Sequence, residues 1–228
     1  MTRTTNARLA GFTFLFYIVV GISSMVLFGK ATGGEGIAAK LASIAQHAPQ
    51  VRVTAVLDLL ASFSALVLGV ALYGITRDQD NEVAVLAMAC RFVEGVLGAI
   101  GAGTMLELVW LATAGAGARA PDVATANTIG TLLLMPGAPI AATFFAVGST
   151  LFSWLLLRGR MVPVPLAWLG VVASVLLVVG LPLQLTGWLH GPITSFTGMW
   201  LPMAVFEVAL ALWLLIKGVA PVRSINVS

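Results

Sequence analysis

The stretch VTAVLDLLASFSALVLGVALYGIT, residues 53–76, is long and apolar, with Asp58 as its only charged residue. About 20 such residues in a helix cross the hydrocarbon core of a bilayer. Working outward from this stretch, the same pattern recurs five more times. The sequence therefore predicts an all-α, polytopic membrane bundle with six transmembrane helices, at about 9–29, 53–76, 84–113, 140–157, 164–185 and 196–216.

Composition agrees with lipid as the main solvent. The chain of 228 residues is 59% hydrophobic and only 9% charged, whereas soluble domains carry about 25% charged residues. Six spans and their loops use up the length, so we expect a single integral membrane domain over residues 1–228. The net charge of +3 does not indicate a nucleic-acid partner, because the basic residues lie at the ends of the predicted helices.

Two segments between the spans have a structure of their own. Ile37, Leu41, Ile44 and Ala48 fall on one helical face, which predicts an amphipathic helix in the membrane interface; a solvated connector is the alternative. The segment Val123–Met135 ends at a break made by Pro136 and Pro139, and could be re-entrant, interfacial or a further span.

The orientation follows from the positive-inside rule. The positive N-terminal segment resembles a signal peptide, but its apolar stretch is too long, so we expect it to remain as the first span. Both termini are then expected in the cytoplasm, with the protein in the inner (plasma) membrane. Seven basic residues lie on that side and four on the other: Arg3, Arg8, Arg77, Arg158, Arg160, Lys217 and Arg223 against Lys30, Lys40, Arg52 and Arg119.

Five charged residues lie within the predicted spans, where burial of charge is costly and often functional. Three of them, Arg91, Glu94 and Glu207, are expected at similar depth, about 5–14 Å from the cytoplasmic ends of their helices. Arg91 and Glu94 are three residues apart and can pair. Because one guanidinium cannot neutralise two carboxylates, we expect Glu94 or Glu207 to be protonated. Three interpretations stay open. The cluster is a clamp that locks the third span to the sixth, it is a proton-coupling or substrate site, or Arg91 extends to the inner surface and forms no cluster.

Asp58 and Glu107 form a second candidate site. Both are expected about 27–28 Å from the cytoplasmic ends, with His190 in a loop on the same side. Two adjacent carboxylates share a proton or bind a cation, so these three residues are a candidate ligand or proton site. The alternative is that each is hydrated at the headgroup level.

Other site chemistry finds little support in the sequence. The two histidines, His47 and His190, lie outside the spans, which disfavours a haem held between facing helices. Ser149 has no histidine in the membrane to act as its base, so it is expected to be a packing residue. We expect no catalytic residues, cofactor or metal, and an enzyme is the less favoured class.

Six pieces of the chain carry a resemblance to a known family: RLAGFTFLFYIVVGI (8–22), VRVTAVLDLL (51–60), ALYGITR (71–77), ACRFVEGVLGA (89–99), PLAWLGVV (165–172) and FEVALALWLLIKGV (206–219). Through these pieces the chain resembles a bacterial family of multi-pass membrane proteins catalogued as domain of unknown function 4386. The resemblance implies a multi-helix membrane protein and no established activity. It places Arg8, Asp58, Arg91 and Glu207 where similar proteins carry the same residue type, and does not place Glu94 or Glu107.

Three function classes stay open on the sequence alone. The first is a binder or transporter of a small molecule or ion that uses the carboxylates, with Arg91 as counter-ion. The second is a non-catalytic membrane partner, in a complex with another membrane protein or as a homo-oligomer. The third is an intramembrane enzyme. Membrane lipid is the expected surrounding in each.

Overall fold

The computed structural model describes residues 2–114, 120–135, 139–194 and 196–220, apart from the side chains of residues 192, 193, 196 and 197. Within these ranges the chain is helical and has no β-strand. The helices are α1 (Arg3–Ala31), α2 (Gly36–Gln46), α3 (Ala48–Thr76), α4 (Asn81–Thr113), α5 (Val123–Leu134), α6 (Ile140–Arg158), α7 (Val164–Leu185) and α8 (Leu201–Ile216), with a 3₁₀ turn at Gly191–Thr194 and a π-helical turn at Phe196–Trp200 before α8.

Six of these helices are long and apolar enough to cross a membrane, as predicted. They are α1, α3, α4, α6, α7 and the segment Gly198–Ile216, which contains α8. Three helices, α1, α3 and α4, begin earlier than their apolar residues suggested. Asp80 precedes α4 and accepts a hydrogen bond from the Val83 N–H at 3.2 Å, so the helix starts in polar sequence at Asn81. α3 includes Pro49, which is tolerated in a first turn.

The chain divides into two compact units, and α1, α3 and α4 contribute to both. Unit 1 comprises Met1–Phe16, Ser64–Gly95 and Pro139–Ser228, and unit 2 comprises Tyr17–Phe63 and Val96–Ala138. The one-domain organisation expected from the sequence stays a prediction.

Unit 1 is held together at one end by polar contacts between distant parts of the chain. Nε and Nη2 of Arg3 donate to the Ile75 carbonyl at 3.0 and 2.8 Å. The exposed side chain of Arg158 pairs with Asp80 at 3.2 Å. These contacts tie the start of α1 to the end of α3, and the end of α6 to the turn before α4.

Unit 2 contains the two short helices. The predicted amphipathic face of α2 is real, since Leu41 and Ile44 are buried in the core of this unit. Gly130 of α5 lies against the side chains of Ile37 and Leu41. The apolar face of α2 therefore packs on protein, and its placement in a membrane interface stays a prediction.

The segment Val123–Met135 is helical for most of its length, as α5. Asp122 caps the helix by accepting a hydrogen bond from the Thr125 N–H at 2.8 Å, and this bond lowers the pKa of Asp122. The predicted break at Pro136 lies outside the described residues. Pro139 immediately precedes the first residue of α6.

Candidate functional site

Arg91 lies in the interior of unit 1. Its side chain is only 1% exposed, and it is the largest of the fully buried side chains. Nη1 lies 2.8 Å from Oε2 of Glu94, which is 7% exposed. The pairing expected from the three-residue spacing on α4 is therefore present. A buried guanidinium keeps its charge, so a close carboxylate partner is a physical requirement here.

Two helices other than α4, α3 and α6, approach Arg91 closely because a glycine of each faces it. A Cβ added at Gly69 of α3 would lie 3.1 Å from Arg91 Cβ, and one at Gly148 of α6 would lie 3.5 Å from Arg91 Cδ. The guanidinium carbon lies 5.1 Å from the ring centroid of Phe145, also on α6. The Phe145 ring stacks in turn on Trp200, before α8, at 6.3 Å. A cation over an aromatic face is stabilised by the ring quadrupole.

No pattern in the sequence predicted the contacts of Phe145 and Trp200. Both residues lie in apolar segments where aromatic side chains are ordinary. The sequence supported only a general expectation, that an arginine within a membrane span faces the protein interior and has partners there.

Glu207 of α8 completes the buried cluster. It is 7% exposed and interacts electrostatically with both Arg91 and Glu94. In the part of the chain that the structure describes, its Oε1 atom has no hydrogen-bond partner. The predicted grouping of one guanidinium and two carboxyl groups is therefore found in unit 1, with one carboxyl oxygen left unsatisfied.

A small cavity adjoins this cluster. It is large enough for about one water molecule. Arg91 and the hydroxyl-bearing residues Ser149 and Ser153 line it, together with apolar side chains. Ser149, which the sequence assigned to packing, thus borders an internal space.

Asp58 of α3 lies in unit 2 and is half-buried. Its Oδ1 accepts a short hydrogen bond from the Ser24 hydroxyl of α1. One helical turn before and after it, Thr54 and Ser62 are buried and donate to backbone carbonyls of their own helix. Asp58 thus belongs to a polar strip on α3, and Ser24 is a partner that the sequence did not reveal.

The structure does not join the three residues of the second candidate site by direct contacts. Glu107 belongs to the same unit as Asp58, and its side chain is exposed. Among the described residues, no hydrogen bond or ion pair links the two. His190 belongs to unit 1 and is also exposed. Among the described residues there is no group of three or more His, Cys, Asp or Glu side chains that could hold a metal ion.

Six apolar helices, with buried ionisable side chains between some of them, define a multi-pass α-helical membrane protein. The chain belongs to the family described as Domain of unknown function (DUF4386), whose match covers residues 9–218. No curated protein and no solved structure gives a significant match.

Proposed function

We propose that this membrane protein binds and moves a small ion, with Glu207 as the binding carboxylate and Arg91 as the counter-ion of Glu94. One observation carries the proposal: a single buried guanidinium faces two buried carboxyl groups. A cluster that only fixed helix packing would be more stable with equal numbers of positive and negative groups, or with no charged group, because unpaired charge in hydrocarbon is destabilising. The surplus carboxylate supports a role in holding a cation.

The small size of the adjoining cavity favours an ion over an organic solute. Pockets that bind organic ligands commonly enclose about 300–1,000 Å³, whereas the space beside Arg91 admits about one water molecule. The species handled in this conformation is therefore small.

Asp58 is proposed as a second, separate carboxylate site within unit 2. Its half-buried side chain and its bond to Ser24 support a site that exchanges with water. Glu107 and His190 are proposed as hydrated surface groups, because both side chains are exposed.

The proposal is tested by ion flux in vesicles that contain the purified protein. Vesicles with an internal pH dye report proton movement, and parallel vesicles with imposed Na⁺ or K⁺ gradients report those ions. Wild-type protein should move at least one of the three, and Glu207→Gln should reduce its flux to the level of empty vesicles. Glu107→Gln, which changes an exposed carboxylate, is the matched control and should retain flux.

The outcomes of this assay are distinct. A wild-type protein that moves none of the three ions would overturn the proposed function. Unchanged flux in folded Glu207→Gln would remove Glu207 from the route. Asp58→Asn should slow the flux, and an unaltered rate in this variant would remove Asp58 from the proposed function.

A second candidate function is a non-catalytic membrane partner, in which the cluster only locks α4 to α8. The close packing of glycines around Arg91 favours this reading. It predicts that Glu207→Gln changes stability or assembly while no ion moves, so the same vesicle experiment separates the two.

The inner (plasma) membrane, with both termini in the cytoplasm, is proposed as the location. The excess of basic residues at the corresponding helix ends supports this orientation. In a Cys90→Ala background, we expect a membrane-impermeant thiol reagent to label Gln46→Cys in intact cells and Thr4→Cys only after permeabilisation. The opposite pattern would show the reverse orientation. Equal labelling of the two variants in intact cells would contradict their placement on opposite sides of the membrane.

A further inference from the structure

We infer that the ion bound at Glu207 is a proton, exchanged through a single water molecule held by Arg91, Ser149 and Ser153 in the adjoining cavity. The inference rests on the proposed function and specifies the ion that it handles.

The first support is the state of the two serine hydroxyls. Hydroxyl groups in helices commonly donate to the carbonyl four residues earlier, as Thr150 and Ser174 do at 2.8 and 2.6 Å. Among the described residues, Ser149 and Ser153 make no such bond, yet both line the cavity. Their hydroxyls are therefore available to a water molecule.

The second support is the number of polar groups around the cavity. An internal water is held by about two to four hydrogen bonds. The guanidinium of Arg91 supplies donors, and each serine hydroxyl both donates and accepts. These groups can supply the roughly two to four hydrogen bonds that hold one water molecule. Most of the other residues that line the cavity are apolar.

Glu207 is not itself among the residues that line the cavity, but its neighbours on α8 are. Met203 and Leu210, one turn before and one turn after it, both line the cavity, and residues three and four apart share a helix face. With Oε1 unsatisfied among the described residues and the side chain more than nine-tenths buried, the carboxyl group has an oxygen available to exchange a proton with the water.

A metal cation fits this site poorly. Hard cations take about six oxygen ligands, whereas the side chains that line the cavity offer two hydroxyl groups. A proton needs only one carboxylate oxygen. In the binding step, an O–H bond of hydronium breaks, an O–H bond forms on Glu207, and neutral water remains.

The charged groups around Glu207 make the cluster neutral when this proton is bound. Arg91 and Glu94 on α4 then cancel each other. The helices α6 and α7 carry no ionisable side chain between Ile140 and Leu157 or within Val164–Leu185. In the unit 1 parts of α1 and α3, Arg3 is bonded to a carbonyl, Arg8 is exposed, and Tyr73 donates to Asn81 near the helix end. Release of the proton leaves one net negative charge, which draws the next proton in.

Infrared spectroscopy of the purified protein tests the inference without any flux. At neutral pH, wild type should show the C=O stretching band of a buried protonated carboxyl group, and the band should shift in D₂O. Glu207→Gln should lose this band, whereas Glu107→Gln should keep it. Ser149→Ala and Ser153→Ala should keep the band and slow its exchange in D₂O. A melting curve for each variant confirms folding.

Several results would overturn the inference. The band could be absent from wild type, could persist in Glu207→Gln, or could vanish in Glu94→Gln instead, which would place the proton on Glu94. Exchange as fast as wild type in both serine variants would remove the water from the route. A band that depends on Glu207 in a protein with no ion flux would refute the proposed function alone and leave the proton site standing.

Discussion

Arg91→Ala is expected to lower the free energy of unfolding by about 3–5 kcal/mol, the usual cost of removing one partner from a buried ion pair. The substitution leaves Glu94 without its counter-ion at 2.8 Å and removes the cation that stacks on Phe145. The measurement is denaturant or thermal unfolding of the purified protein in detergent, together with its yield in membranes.

Two variants control this result. Arg158→Ala removes an exposed pair with Asp80 and should cost no more than about 1 kcal/mol. Arg91→Leu combined with Glu94→Gln removes both charges and should recover part of the lost stability, since an apolar replacement of a buried pair is often tolerated. If Arg91→Ala unfolds like wild type, the guanidinium does not hold the cluster together.

Gly11→Val is expected to be the most damaging substitution at a helix contact free of charge. A Cβ at Gly11 of α1 would lie 2.7 Å from the Ala211 carbonyl oxygen and 2.8 Å from the Leu215 backbone nitrogen of α8. Backbone cannot move aside as a side chain can, so the two helices must separate, at a cost of about 1–3 kcal/mol or more. The loss should appear as a lower melting temperature.

Gly21→Val is the matched control on the same helix. A Cβ at Gly21 has no neighbour within 4 Å, and valine forms helix at least as well as glycine. Its melting temperature should stay at or slightly above that of wild type. Equal destabilisation by the two variants would refute the close contact between α1 and α8.

Much of the fold was readable from the sequence because hydrocarbon accepts few side chains and only satisfied backbone. Six apolar runs predicted six helices, and the face that contains Leu41 and Ile44 predicted α2. Hydropathy reads only the part of a helix that lipid would cover. It therefore missed the polar beginnings of α1, α3 and α4. The start of α4 depends on a local feature, the Asp80 cap.

The inner cluster was readable in part. The spacing of Arg91 and Glu94 fixed their pairing, and the position of Glu207 along its helix brought it to similar depth. The aromatic stack and the cavity serines come from helices remote in sequence. The rotation of each helix about its axis decides which of its apolar or small residues faces Arg91. The local sequence pattern does not specify this rotation.

The second candidate site was readable only as a set of similar heights. Asp58 pairs with Ser24 of α1, and among the described residues no hydrogen bond or ion pair joins it to Glu107. A count along each helix estimates height, but the direction in which a side chain faces depends on how the helix is rotated.

The most direct test of the account is to measure melting temperature and proton flux on one vesicle preparation of Glu207→Gln. The account predicts a protein that remains folded and has lost the flux shown by wild type, because the buried carboxyl group carries the ion. A folded Glu207→Gln protein that moves protons at the wild-type rate would contradict it.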